Sequence, residues 1–326
     1  MVDWKLAAVF VGSKISSQSV RGGKSIRIVP DKVASVPHLQ GSSQVMATKR
    51  QPVLPARALI GMVHVGALPG TPRGGESVAA IARRAAAEAA ILASAGFDAI
   101  IIENMHDAPY VHAGVDGRGH GPEIVSAMTR CALEVRAVVG DAIPLGIQIL
   151  SGGNREAIAV ALACGLQFIR CENFVFAHVA DEGLLGRAEA GPLLRYRKQI
   201  GAEHVRVFCD LKKKHAAHAI TADVPIADSA HGAEFFGADG MIVTGEATGR
   251  PTSETDIAAV RGATRLPVLV GSGVTPETAA GLFAAGADAL IVGSSIKVRG
   301  DWANAVDPKR AHAMVVAVKK ARARRA

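Results

Sequence analysis

From residue 57 onward the chain alternates two kinds of segment. Short, β-branched apolar runs fall at ALIGMVHV (58–65), DAIIIEN (98–104), PLGIQIL (144–150), FIRCE (168–172), VRVFCDLK (205–212), GMIVTG (240–245), PVLVGSG (267–273) and ALIVGSS (289–295). Each is apolar nearly throughout, the pattern of strands covered on both faces in a parallel sheet. Ala-rich segments with helical spacing lie between them, at 78–96, 123–140, 155–165, 193–201, 228–237, 254–263 and 276–286, and a last one covers 308–323. In the first, Ala, Ile and Leu form one stripe, while Arg83, Arg84 and Glu88 lie off it.

Eight strand–helix units in ~265 residues predict an α/β fold of the (β/α)8 TIM-barrel type. A doubly wound open sheet would carry fewer units and a glycine-rich first turn. The first turn here, HVGALPGTP, has no GxGxxG. Several helical segments end in Gly, and Gly-Phe-Asp or Gly-Ala-Asp leads into the next strand at Gly96, Gly237 and Gly286. Pro122 and Pro276 fall at expected first helical positions, the latter after Thr275 as N-cap.

In such a barrel the active site forms at the C-terminal ends of the strands. Polar residues end nearly every strand: His64, Glu103, Asn104, Gln148, Arg170, Glu172, Asp210, Lys212, Thr244, Ser272 and Ser294. Arg170 and Glu172 are two apart and share a face, as do Asp210 and Lys212. Taken singly, each could be a satisfied ion pair. Ionisable groups converging from four neighbouring strands point to a site, because burying unpaired charge is costly.

Strands seven and eight both end in Gly-Ser. Gly271, Ser272 and Gly273, with Gly293 and Ser294, are small enough to let a phosphate approach backbone N–H groups, so a phosphate-binding barrel is expected. The alternative is that these glycines only relieve crowding at the rim. The run DLKKKHAAHAI (210–220) adds Lys214 and His215 at the same mouth. A lysine there could pair with phosphate, act as base or form a Schiff base, and His215 could transfer a proton. Two long loops, 105–121 and 173–189, are candidate lids. Their His and Asp residues leave a divalent metal open, but no HxxxH-type spacing occurs, and neither a metal site nor a cofactor is predicted.

The net charge of +8 sits at the ends. Residues 1–50 hold eight basic residues against two acidic ones, and the tail 319–326 holds five basic residues and no acidic one. The body between them is slightly acidic, so no basic stripe marks a nucleic-acid surface. Cys131, Cys164, Cys171 and Cys209 show no CxxC or metal spacing and read as thiols of a reducing compartment. No apolar run reaches the ~20 residues of a membrane span. Residues 1–50 are basic, Ser-rich and aperiodic, as in a transit peptide, or they precede a true start at Met46. The expected layout is an extension at 1–50, a barrel at 51–318 and a basic tail at 319–326, in the cytoplasm or the mitochondrial matrix.

MVHVGALPGTP, IIENMHDAPY, GPEIVSAMT, FIRCENF, RYRKQIGA, KKKHAAHAITAD, VTGEATGRPT and VGSGVTPET together resemble the BtpA/SgcQ family of barrel proteins, from about residue 57 to about residue 314. NREAIAVALACG and ENFVFAHVADEG look like its animal-type members. Where bacterial members tend to read LRN, this chain has LSGGN (150–154). The family takes its name from a cyanobacterial protein implicated in photosystem I biogenesis, and another member lies in a sugar-transport gene cluster. The resemblance implies the barrel and leaves the reaction open.

These residues lead to a lyase or isomerase acting on a small phosphorylated metabolite, by proton transfer next to a carbonyl. Glu103, Glu172 or Asp210 would be the base, and Lys212, Lys214 or His215 the electrophile or acid. His64, Asn104, Gln148, Arg170 and Thr244 would join the Gly-Ser ends in holding substrate. The alternative is a non-catalytic assembly or stability factor. Neither nucleic acid nor a membrane is an expected partner, and a homo-oligomer is open.

Overall fold

A computed structural model describes residues 52–112, 119–245 and 252–323. The extension 1–50 and parts of the 105–121 loop and the VTGEATGRPT segment lie outside the described residues. In chain order the elements are β1 (Ala58–His64), α1 (Val78–Ala95), β2 (Ala99–Glu103), α2 (Pro122–Val139), β3 (Leu145–Gln148), α3 (Asn154–Cys164), β4 (Phe168–Cys171), β5 (His178–Ala180), β6 (Gly183–Leu185), α4 (Ala190–Gln199), β7 (Arg206–Leu211), β8 (Ala216–Ala217), α5 (Ile226–Phe235), β9 (Gly240–Val243), α6 (Glu254–Ala263), β10 (Val268–Val270), α7 (Ala279–Ala284), β11 (Ala289–Val292) and α8 (Pro308–Ala323).

Eight strands close a parallel barrel in the order β1-β2-β3-β4-β7-β9-β10-β11, with β11 pairing back onto β1. All eight apolar runs of the sequence supply one strand each. Alternate strand residues point inward and outward. The outward set, such as Ile100, Ile102, Val207 and Val270, packs against the helices in one large core. The inward set, including Ile60, Met62, Ile101, Phe168, Phe208, Ile242, Leu269 and Ile291, fills the barrel axis. Two phenylalanine rings dominate that axis, with centroids 5.4 Å apart. A Cβ on Gly146 would stand 2.1 Å from the Phe168 ring, and one on Gly240 would stand 2.7 Å from Phe208. Glycine at these two inward positions therefore makes the space that the rings occupy.

The repeated Gly-X-Asp triplets have a structural meaning. Asp98, Asp239 and Asp288 each accept the N–H of a residue at the start of the preceding barrel strand: Leu59 at 2.7 Å, Val207 at 3.0 Å and Val268 at 2.8 Å. Each carboxylate also meets an arginine: Arg322 for Asp98, Arg197 for Asp239 and Arg261 for Asp288. The triplet thus closes the N-terminal floor of the barrel, opposite the mouth. Arg322 belongs to α8, which continues through Ala323.

Two local expectations change. Helix α2 does begin at Pro122, but α7 begins at Ala279 rather than Pro276. Thr275 still caps the turn before it: its Oγ1 accepts the Thr278 N–H at 3.3 Å, and Thr278 Oγ1 accepts the Thr275 N–H at 2.9 Å. The 173–189 loop contains β5 and β6, which form an antiparallel sheet with β8 in the order β6-β5-β8. This small sheet ties the loop after β4 to the loop after β7. Strands of two or three residues are too short for a periodicity to announce them.

Candidate functional site

The inward positions at the strand ends follow from the alternation. His64 is two residues past Met62, Glu103 two past Ile101, Arg170 two past Phe168, and Asp210 two past Phe208. All four therefore enter the mouth directly above the apolar axis. A cavity of 280 Å³ opens there. His64, Glu103, Arg170 and Lys214 line it together with the turn 271–275 and with Gly293, Ser294 and Ser295.

Asp210 is set behind that lining. It holds Arg170 in a fork, with Nε to Oδ1 at 3.0 Å and Nη2 to Oδ2 at 3.1 Å, and both side chains are buried. Burial pushes the Asp210 carboxyl up, and the guanidinium opposes it. The pair fixes Arg170 so that it faces the cavity. Glu103 is buried and has no such fork. Burial raises its carboxyl above the usual range, and Arg170 and Lys214 only partly offset this. His64 donates from Nδ1 to the Trp302 carbonyl oxygen at 2.8 Å, which leaves Nε2 toward Glu103 Oε2 at 3.7 Å. Burial, then the charge of Lys297, lowers its pKa well below the ordinary value, so the ring is neutral and Nε2 is an acceptor.

The three consecutive lysines take three directions. Lys212 and His215 both sit in the left-handed region, at φ 46° and 54°. Such values are uncommon without glycine, and the backbone at these two residues re-aims its neighbours. Lys212 lines a separate cavity of only 20 Å³, with Asn173 and His178. Lys213 is buried between Glu172 at 3.2 Å and Glu182 at 3.6 Å. Burial opposes its charge, but these carboxylates outweigh it and raise its pKa. Lys214 enters the main cavity, and its N–H donates to Thr244 Oγ1 at 3.2 Å. Burial, then the nearby Arg170, lowers the pKa of its amine.

The sequence-predicted residues therefore divide. His64, Glu103, Arg170, Lys214, Gly271, Ser272, Gly273, Gly293 and Ser294 share the cavity. Asn104 is fully buried, receives the Leu150 N–H at 2.7 Å and donates to Asp107, so it staples two loops together. Glu172 accepts from Lys213 and from the Gly152 N–H at 2.9 Å. Gln148 is buried near the mouth and does not line the cavity, and His215 is exposed beyond it. Of the rim glycines, a Cβ on Gly271 would crowd Ile242 at 2.9 Å, so Gly271 relieves crowding, while Gly273 needs its freedom for a φ of 64°. Met105, Trp302 and Arg310 also line the cavity, and no strand-end pattern in the sequence points to them. Two of them come from the segment after β11 and from α8, where strand-end logic does not look. Among the described residues, no three His, Cys, Asp or Glu side chains gather as metal ligands.

A closed parallel eight-stranded barrel with a carboxyl group, an amine, a guanidinium and an imidazole lining one mouth is a (β/α)8 protein with a polar cavity at the C-terminal ends of its strands. The chain belongs to the BtpA family, whose model matches residues 55–320. It is 44% identical over 255 residues to an uncharacterized mitochondrial protein of Caenorhabditis elegans, covering 77% of this chain and 89% of that one. It is 36% identical over 261 residues to the photosystem I biogenesis protein BtpA of Synechocystis, covering 80% and 87%. Among solved structures it is similar to one described as native KDPGal, with a TM-score of 0.49, 19% identity, and 84% of this chain and 98% of that one covered. It is also similar to (S)-3-O-geranylgeranylglyceryl phosphate synthase from Thermoplasma acidophilum, with a TM-score of 0.49, 19% identity, and 81% and 94% covered. Likeness of that degree adds nothing to the barrel topology already traced.

Proposed function

We propose that this BtpA-family barrel is an enzyme acting on a small phosphorylated carbonyl compound, a sugar or ketoacid phosphate, with Lys214 and Glu103 as its reacting groups. One observation carries the reading. Lys214 and Glu103 line one cavity, and burial shifts them toward each other: the amine down and the carboxylic acid up. A pair whose surroundings push the proton affinities together exchanges a proton more readily than the free groups do. Asp210, Glu172 and Lys213 neutralise one another or Arg170 and serve as support.

In this scheme the phosphate lies against the 271–275 turn and Ser294, with Arg310 at the rim. The carbonyl faces Lys214. The unprotonated amine adds to the carbonyl carbon, the Glu103 carboxylic acid gives its proton to the carbonyl oxygen and water leaves, giving an iminium whose neighbouring C–H bond is acidified and a Glu103 carboxylate. Glu103 removes or returns that proton, and Arg170 offsets the charge that develops. The scheme covers isomerisation and aldol-type cleavage alike. Thermal-shift measurement against a panel of phosphorylated sugars, ketoacid phosphates and inorganic phosphate tests it. Selective stabilisation by some of the phosphorylated carbonyl compounds is the expected result, and a flat panel would count against it.

The Synechocystis relative's name supports a second reading, a non-catalytic assembly or stability factor on the same scaffold. The end of α5 and the residue after it, Phe235 and Phe236, are 86% and 53% exposed, and a partner could dock on such an outer surface. In that case Phe235→Ser/Phe236→Ser would abolish cellular function while Lys214→Met would not. We place the protein in the mitochondrion, in line with the C. elegans relative. No helix among the described residues is long and apolar enough to cross a membrane. A fluorescent fusion that loses mitochondrial location on removal of residues 1–45 would support this.

A further inference from the structure

A second cavity of 330 Å³ lies beside the first, lined by His64, Arg73, Arg84, Glu88, His106 and the segment 303–305 among others. His64 belongs to both cavities. The rest of the partition is the segment after β11: Trp302 lines the first cavity and Ala303–Ala305 line the second. This partition is firmly anchored. The Trp302 carbonyl receives His64 Nδ1, the Val306 N–H meets Glu88 Oε1 at 3.3 Å, and Lys297 Nζ meets Glu88 Oε2 at 2.6 Å. Lys297 is fully buried, so an Ala-rich helix carries a buried ion pair at the place where the segment is held.

The second cavity has donors of a particular shape. Arg84 lies over the turn after β1, where a Cβ on Gly66 would stand 2.2 Å from its Nη2. Its fork already holds one carboxylate, that of Glu76 from an exposed loop, at 2.7 and 2.6 Å. Arg73 lines the same space, is exposed, and has no ion-pair partner among the described residues. Glu76 balances Arg84 and Lys297 balances Glu88, so one positive charge is left over. A guanidinium fork recognises planar carboxylates by paired hydrogen bonds.

We infer that this second cavity binds a small organic carboxylate, which takes the place of Glu76 on Arg84 and is met by Arg73. The inference sits beside the phosphorylated-carbonyl reading and does not depend on it: phosphate is expected in the first cavity and the carboxylate in the second, on either side of His64.

The full chain carries two tryptophans, so a Trp4→Phe background leaves Trp302 as the sole reporter, beside His64 and His106. Its fluorescence is titrated with inorganic phosphate, with pyruvate, and with each in the presence of the other. Both should saturate, and saturating phosphate should leave the pyruvate midpoint in place. Arg84→Gln and Arg73→Gln should each weaken pyruvate binding about tenfold without moving the phosphate midpoint, and Glu76→Ala should tighten it. Arg73 is exposed, so its variant serves even if Arg84→Gln folds poorly. Competition between pyruvate and phosphate, indifference to both arginine changes, or no pyruvate binding would overturn the inference. Pyruvate binding without phosphate binding would keep it and remove the phosphate reading instead.

Discussion

Lys213 and Lys214 are adjacent in the chain and opposite in circumstance. Lys213 is enclosed by Glu172 and Glu182, which keep it charged against the cost of burial. Lys214 shares its cavity wall with the guanidinium of Arg170 and has no carboxylate bonded to it among the described contacts, so burial carries its amine toward the neutral form. One half of the mouth is thus a closed network of paired charges under the small β-sheet. The other half is an open cavity lined by an acid, an amine and an imidazole. Neutralised charge holds the loops, and charge left partly unneutralised is available for chemistry.

That contrast can be broken at several points. Lys214→Met should remove turnover down to background, a loss of about a thousandfold or more, while thermal unfolding stays near that of the parent. Lys213→Met should do the reverse. It strands two buried carboxylates and should cost about 3–5 kcal/mol of stability in denaturant titration. Glu103→Gln should lower turnover by about a hundredfold or more and should not destabilise the fold, because a carboxyl that burial disfavours is replaced by a neutral amide.

The smallest effect concerns pH. His178 is the first residue of β5 in the small sheet, and burial, then the Lys213 charge, lowers its pKa to about 4. Its folded value lies below its unfolded one, so the unfolded chain binds its proton first. Stability is therefore full above the ordinary histidine value of about 6.5 and is lost as pH falls from there toward 4. His178→Asn should flatten the fall of the urea midpoint across that window. An unchanged slope would show that His178 does not carry it.

Much of this was legible in the chain, for physical reasons that differ by residue. The apolar runs announced eight strands because parallel barrel strands are covered on both faces. The inward parity of His64, Glu103, Arg170 and Asp210 followed from a period of two. The division of labour among them did not. Whether Asp210 faces the cavity or sits behind Arg170 depends on how far the strands are staggered, and the fates of the three lysines depend on left-handed backbone at Lys212 and His215. Neither leaves a compositional trace. Trp302 and Arg310 reach the cavity from beyond β11, and Arg73 and Arg84 frame the second cavity from a loop and a helix that read as ordinary polar surface.

In the proposed reaction Lys214 is the reactive amine. Incubation with phosphorylated aldehydes and ketones, reduction with borohydride and peptide mass spectrometry would test it most directly. The expected result is a single reduced adduct on Lys214, with Lys212 and Lys213 unmodified and the adduct absent from Lys214→Met. No adduct with any of the compounds, or one spread evenly over the three lysines, would contradict it.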